Sequence, residues 1–311
     1  KNAKDANVAS KVMRKVTNYV DDVVTDAVII SVRFSQDSRN EEYTKAQEYV
    51  DHHFPYLSAQ LNEYNKLLVA SPFRAELEKI WGKYLFKMIE VSLKTFDPSI
   101  IELMQEESML KNEYSKIMAG AQIKFDGEIY NLSQLGKFTQ HKERDIRKRA
   151  SAASIKFFEA NDKEFGRIYH ELVQVRHEMA LKLGFENFVE LGYLKLGRVD
   201  YTAKDVAGYR DQIYREVAPL VHKLYKKSLK RAGIKSPRFY DLGQDFADGN
   251  PVPAGGTDYL VKAATKMYDE LSPETGEFFR FMVDNELLDL EARAGKRGGG
   301  YMTYFPRYKA P

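Results

Sequence analysis

The stretch AQIKFDGEIYNLSQL, residues 121–135, is where the pattern of this chain changes. Apolar and polar residues alternate on both sides of Asp126-Gly127, the dipeptide that best closes a two-residue hairpin turn. The reading is a small β-hairpin near 122–132. Outward from it, in both directions, apolar residues recur instead at helical spacing, so the chain is mainly α.

Upstream, SRNEEYTKAQEYVDHHF predicts a helix opened by a capping box from Ser38 to Glu41, with Tyr43, Ala46, Val50, Phe54 and Leu57 on one face. Asp97-Pro98 predicts another helix start, the aspartate as cap and the proline in the first turn. Downstream, helices are expected over KERDIRKRASAASIKFF, over 162–183, and over a long segment following Thr202, whose partner three residues on is Asp205. Two more are expected at about 258–271 and 273–294. The last has Ser272 as cap, Pro273 in first position and Gly295 just past its end. Residues 243–256, GQDFADGNPVPAGG, read as a surface loop. The domain boundary falls near 133–142, giving an N-terminal helical domain with the hairpin over 1–135 and a second helical domain over 136–311.

Composition narrows the function classes. Among 311 residues, 43% are apolar and 18 Phe, 20 Tyr and one Trp are present, enough for packed cores. A net charge of +3, from 48 basic and 45 acidic side chains, supplies no global field for nucleic acid or an anionic membrane. The absence of cysteine excludes disulfides, thiolate metal sites and a thiol nucleophile, and fits a reducing, cytoplasmic setting. The longest apolar run, DAVIISV, is far short of the ~20 residues of a membrane span.

Several motifs suggest chemistry and fail on spacing. HELVQVRHEMAL holds two His-Glu pairs, but a zinc helix needs His-Glu-x-x-His, and Gln174 and Leu181 occupy the required positions. His170 and His177 share a face two turns apart, about 10.5 Å at 1.5 Å per residue, too far for two direct zinc ligands. They point away from the apolar stripe of Phe165, Ile168, Leu172, Val175 and Met179. The basic run KERDIRKR, 142–149, is interrupted by Glu143 and Asp145 and lacks stacking aromatics, so it reads as a solvated face with internal ion pairs. GKRGGG is no phosphate loop, because Leu290 stands where the first glycine belongs and Arg297 where Ser or Thr belongs.

The terminal stretch AGKRGGGYMTYFPRYKAP, 294–311, remains. Its three glycines allow close backbone approach, and YMTYF alternates as a strand does. An edge strand near 299–305 could receive an extended peptide through main-chain hydrogen bonds. The same residues also suit an ordinary hairpin edge with a glycine turn.

From about SVRFSQDSRNEEY onward the chain resembles the oligoendopeptidase F family of zinc metallopeptidases, related to thimet oligopeptidase. The resemblance is carried by IKFDGEIYNLSQL, RKRASAAS, EMALKLGFENFVELGYLKLGRVDYTAKDV, RFYDL and LLDLEARAGKRGGGYMTYFPRYKAP, in that order. It implies one half of a multi-helical, zincin-like clamshell and an enzyme hydrolysing internal bonds of oligopeptide substrates. In that family a similar glycine-rich strand is followed by the His-Glu-x-x-His helix, and these 311 residues stop before it. Zinc is therefore expected in the parent protein, with its ligands outside this sequence. The partners expected are an oligopeptide and the remaining C-terminal catalytic segment, with no nucleic acid and no membrane. By motif position, the substrate-binding edge is Gly299, Gly300, Tyr301, Met302 and Thr303; no catalytic or metal residue is assigned. Met302 stands near a cysteine usual in the family, read as a packing variation. The alternative is a non-catalytic helical module that binds peptides or acts as a scaffold. If the catalytic domain continues beyond these residues, part of the apolar surface of helix 273–294 should lie exposed.

Overall fold

The computed structural model describes residues 3–311. In chain order the elements are α1 (Ala6–Gln36), α2 (Glu41–Val69), α3 (Arg74–Trp81), α4 (Lys83–Thr95), α5 (Ile101–Ala119), β1 (Ile123–Phe125), β2 (Glu128–Tyr130), α6 (Leu132–Thr139), α7 (Arg144–Ala160), α8 (Asp162–Lys182), α9 (Phe188–Lys195), α10 (Ala203–Gln212), α11 (Ala218–Arg231), α12 (Thr257–Leu271) and α13 (Pro273–Asp284). The fold is mainly α with one small antiparallel hairpin. No helix among the described residues is long and apolar enough to cross a membrane.

The hairpin forms as its turn chemistry dictates. Asp126 and Gly127 both take positive φ, 48° and 88°, the twist that a two-residue turn must match. Ile123 pairs with Tyr130 and Phe125 with Glu128. That register turns Ile123 and Phe125 inward together and leaves Lys124 outside.

Local signals fixed most helix starts. Asp97 caps the short turn Pro98–Ile100 that leads into α5, accepting from the Ser99 N–H at 2.9 Å. Thr202 and Asp205 form the expected box at α10, and Ser272 with Pro273 opens α13. Two ends differ from the sequence reading. The cap of α2 is Asn40, which accepts from the N–H groups of Glu42 and Tyr43, while Ser38 is buried. Asn outcompetes Ser because it sits directly before the first helical residue, where its carbonyl reaches both orphan donors. Helix α13 stops at Asp284 and does not run to 294. Glu286 takes φ +56°, Leu287 N–H bonds back to Met282 O and Glu286 N–H to Val283 O, a closing pattern that ends the helix. Apolar residues continue past that point, so periodicity alone does not mark the stop.

The long helix after Thr202 is broken by a π turn, Ile213–Val217, between α10 and α11. Pro219 supplies the reason. It has no N–H and its ring crowds the preceding turn, and widening that turn, with Ala218 N–H bonding Ile213 O, relieves both.

The chain forms two compact units. The first comprises residues up to 117 together with 160–221. One of its cores joins Met13 of α1, Leu77 of α3 and Phe86 and Ile89 of α4. The other joins Ile100, Leu103 and Leu110 with Ile168, Val175, Met179 and Ala180 of α8 and Leu191 of α9. The α8 stripe read from sequence is therefore the buried face, and His170 and His177 are exposed. Beside this core lies Glu107, 9% exposed at its side chain, within 2.8 Å of Arg176, 3.1 Å of Lys111 and 3.6 Å of Lys195. Burial pushes its carboxyl up, but Lys195, Arg176 and Lys111 outweigh that and hold it below the usual range.

The second unit comprises 118–159 and 222–311. The hairpin thus groups with the C-terminal residues, and 160–221 with the N-terminal helices. Its core is Ile123, Phe125, Leu135 and Ala150. The basic run at the start of α7 is spent on internal pairs. Arg144 and Arg147 converge on the fully buried Asp241 at 2.7 and 3.0 Å, and the Arg238 N–H adds a bond of 2.9 Å. Arg147, itself 3% exposed, donates its remaining hydrogens to the carbonyls of His141, Lys142 and Tyr240. Arg149 pairs with Asp126 at the hairpin turn and with Asp145.

Burial alone would raise the Asp241 carboxyl; Arg144, the Arg238 N–H and Arg147 overcome it and hold the group at about 2. Its contribution to stability is complete above the unfolded value near 3.8 and is lost as pH falls toward 2. Asp241→Asn leaves two guanidinium groups short of an anion and is expected to cost about 3–5 kcal/mol. Urea denaturation followed by circular dichroism should show that loss at neutral pH, and a gap between variant and parent that narrows on acidification from pH 4 to 2.

Candidate functional site

The terminal segment is anchored in the second unit before its glycines begin. Lys296 donates to the Asp289 carbonyl at 2.7 Å, the Asp289 carboxylate at 2.8 Å and the Glu291 carbonyl at 2.8 Å. Arg293 pairs with the same carboxylate through two bonds of 2.7 and 2.9 Å. Asn131, whose backbone N–H and side-chain oxygen are used in the capping box of α6, donates its side-chain N–H to Arg293 O at 3.1 Å. The hairpin-to-helix junction therefore holds the loop that presents the glycines. A β-carbon on Gly298 would stand 3.3 Å from the Ser133 hydroxyl, tighter than ordinary contact.

Beyond this clamp the chain emerges. Gly299, at φ +83°, Gly300, Tyr301 and Met302 are exposed, and Thr303 is half-buried. Met302 is 76% exposed, so it fills no packed position among the described residues. The edge strand expected near 299–305 is not a strand: residues 299–304 join no sheet, and the pairing in this region is a single antiparallel bridge between Phe305 and Ala310. Phe305 N–H donates to Ala310 O at 2.7 Å, and Lys309 turns the chain back at φ +50°. A strand is defined by its partner, and sequence alternation cannot supply one.

Phe278 of α13 is 49% exposed, Phe281 41% and Leu290 57%. The apolar surface carried past residue 273 is only partly covered within these residues. Among the described residues, no three His, Asp or Glu side chains converge so as to hold a metal ion. The residues present do not fit a zinc site.

Comparison with known proteins gives a consistent answer. Residues 1–96 match the Peptidase M3 N-terminal domain family. PZ peptidase A, solved with an inhibitor, is 44% identical, with a TM-score of 0.98 over 99% of this chain and 55% of its own. A provisionally assigned oligoendopeptidase F is 45% identical, with a TM-score of 0.98 over 100% of this chain and 55% of its own. Another, from Bacillus anthracis strain Ames, is 42% identical, with a TM-score of 0.95 over 98% of this chain and 56% of its own. The chain thus spans about 55% of the length of the solved structures it matches. No curated protein matches it.

Lys296→Met removes three bonds from the clamp and is expected to loosen 289–300 by about 1–3 kcal/mol of local opening energy. Amide hydrogen exchange should quicken there while protection of β1, β2 and α7 stays as in the parent.

Proposed function

Because the chain belongs to the oligoendopeptidase F family of M3 peptidases, we propose that it is the substrate-binding part of an enzyme hydrolysing internal bonds of short peptides. The observation that carries this reading is the 44–45% identity, over essentially every residue, to a peptidase solved with an inhibitor and to an oligoendopeptidase F relative. The terminal segment supports it. A bonded clamp delivers an exposed run from Gly299 to Met302, two of whose residues have no side chain to obstruct an incoming backbone.

A peptide lying along Gly299, Gly300, Tyr301, Met302 and Thr303 would be bound through main-chain groups, with little demand on its sequence. In this proposal the ligand itself forms the strand pairing along residues 299–303, which join no sheet. In sequence order we assign 1–135 to the N-terminal domain and 136–311 to the opening of the catalytic domain, a division that the two compact units cross, since 118–135 groups with the C-terminal residues and 160–221 with the N-terminal helices. Zinc is the metal proposed for the parent enzyme, and its ligands are not among these residues, so the hydrolytic step is not carried by them. The remaining catalytic segment is the expected partner, and the cytoplasm is the proposed compartment.

Gly300 has open space around it, so Gly300→Val leaves the fold intact while placing a branched side chain on the proposed edge. Titration calorimetry with an octapeptide is expected to show binding about 10-fold weaker, with an unchanged melting temperature; equal affinity would refute this edge. Purified chain of residues 1–311 is expected to hold no stoichiometric zinc and to leave peptides uncut. Turnover accompanied by one zinc per chain would overturn that division of labour.

A further inference from the structure

The first unit contains a second place suited to a peptide, at the α9–α10 junction. A groove of about 410 Å³ is lined by Arg198, Tyr201, Asp205, Val206 and Tyr209. That volume lies within the range of small-ligand sites, about 300–1,000 Å³. Its walls are mostly aromatic and apolar, and Tyr201 and Tyr209 are exposed at 47% and 63%.

Arg198 is held rigidly. It follows Gly197, whose φ of +67° ends α9, and its N–H bonds back to Tyr193 O at 3.0 Å. Its guanidinium carbon lies 4.8 Å from the centre of the Tyr193 ring, and that ring meets Tyr201 edge-on at 6.5 Å. Stacking fixes the plane of the guanidinium and leaves its N–H fork for an anion.

The two carboxylates nearest in sequence are both committed elsewhere. Asp200 pairs with Lys87 at 2.6 Å. Asp205 accepts from the Thr202 N–H and hydroxyl, both at 2.7 Å, in the box that opens α10. Those Thr202 bonds also hold the Asp205 carboxyl below its usual range. Among the described residues Arg198 has no ion-pair partner, although it is only partly exposed. Partly desolvated arginines are ordinarily matched with carboxylates. Here the charge faces a cavity instead.

We propose that this groove takes the C-terminal residue of a short peptide, its carboxylate on Arg198 and its apolar or aromatic side chain against Tyr201, Val206 and Tyr209. Asp205 on the same wall disfavours a second negative charge, so a lone terminal carboxylate beside an apolar side chain suits the site better than an acidic run. The inference rests on the peptide reading for its ligand class and names a different set of residues. A site that reads a free chain end would make the protein prefer peptides to folded proteins.

The test is titration calorimetry of the chain with Ala-Ala-Ala-Phe as the free acid, as the amide, and with Ala-Glu-Ala-Phe amide. The acid is expected to bind about 10-fold more tightly than either amide. Arg198→Gln should abolish that difference and Arg198→Lys should retain part of it, with circular dichroism confirming the fold of each. Equal binding of acid and amide overturns the proposal, as does a difference that survives Arg198→Gln. Binding of the glutamate-containing amide as tight as that of the acid overturns the chain-end assignment. Loss of octapeptide binding in Gly300→Val concerns the other segment and leaves the acid–amide difference unaffected, so the two readings fail separately.

Discussion

A carboxylate with no access to water organises the second unit. Asp241 is wholly buried and would be intolerable there alone. Two guanidinium groups and a backbone N–H surround it, and Arg147 is in turn saturated by three carbonyls from the chain entering α7 and the RFYDL turn. Because these donors and acceptors come from three stretches, the arrangement closes only when α7, the loop before it and residues 236–241 are all in place. It thereby fixes α7, whose Ala150 lies against the hairpin core. The hairpin leads into α6, and Asn131 at that junction holds the loop from which the terminal glycines emerge.

The first unit solves a similar problem with a different balance. Glu107 is matched by Arg176, Lys111 and Lys195, three cations for one anion. Phe188 takes up part of that excess, since both Arg176 and Lys195 lie over its ring, at 5.7 and 5.9 Å. Aromatic faces therefore do twice in this unit what carboxylates usually do. At Phe188 they complete a packed cluster. At Tyr193 they orient a guanidinium that is left facing a groove.

Both places proposed to meet peptide share a logic. Each is an exposed or open feature held by a rigid, fully bonded anchor: Lys296 with Asp289 for the glycine segment, the glycine-terminated end of α9 for Arg198. Preorganisation of this kind lowers the ordering cost that a short ligand could not itself offset. The π turn after α10 shows the same economy of cause, since one proline at 219 accounts for it.

What the sequence determined was local. Asp126-Gly127, Asp97-Pro98, Thr202 with Asp205 and Ser272-Pro273 each act within four residues, and each produced its turn or cap as read. The stripe on α8 was also legible, because burial of one helical face imposes its period on the residues. Where a helix stopped under continuing apolar periodicity, as at Asn285, the stripe gave no warning. Tertiary structure alone decided the pairing of Arg147 with Asp241, 94 residues apart, and the isolation of Arg198 from Asp200 and Asp205. Among 48 basic and 45 acidic side chains, no local rule selects which pair is buried and which charge goes unmatched. Desolvation makes that selection, and desolvation exists only once the chain has packed.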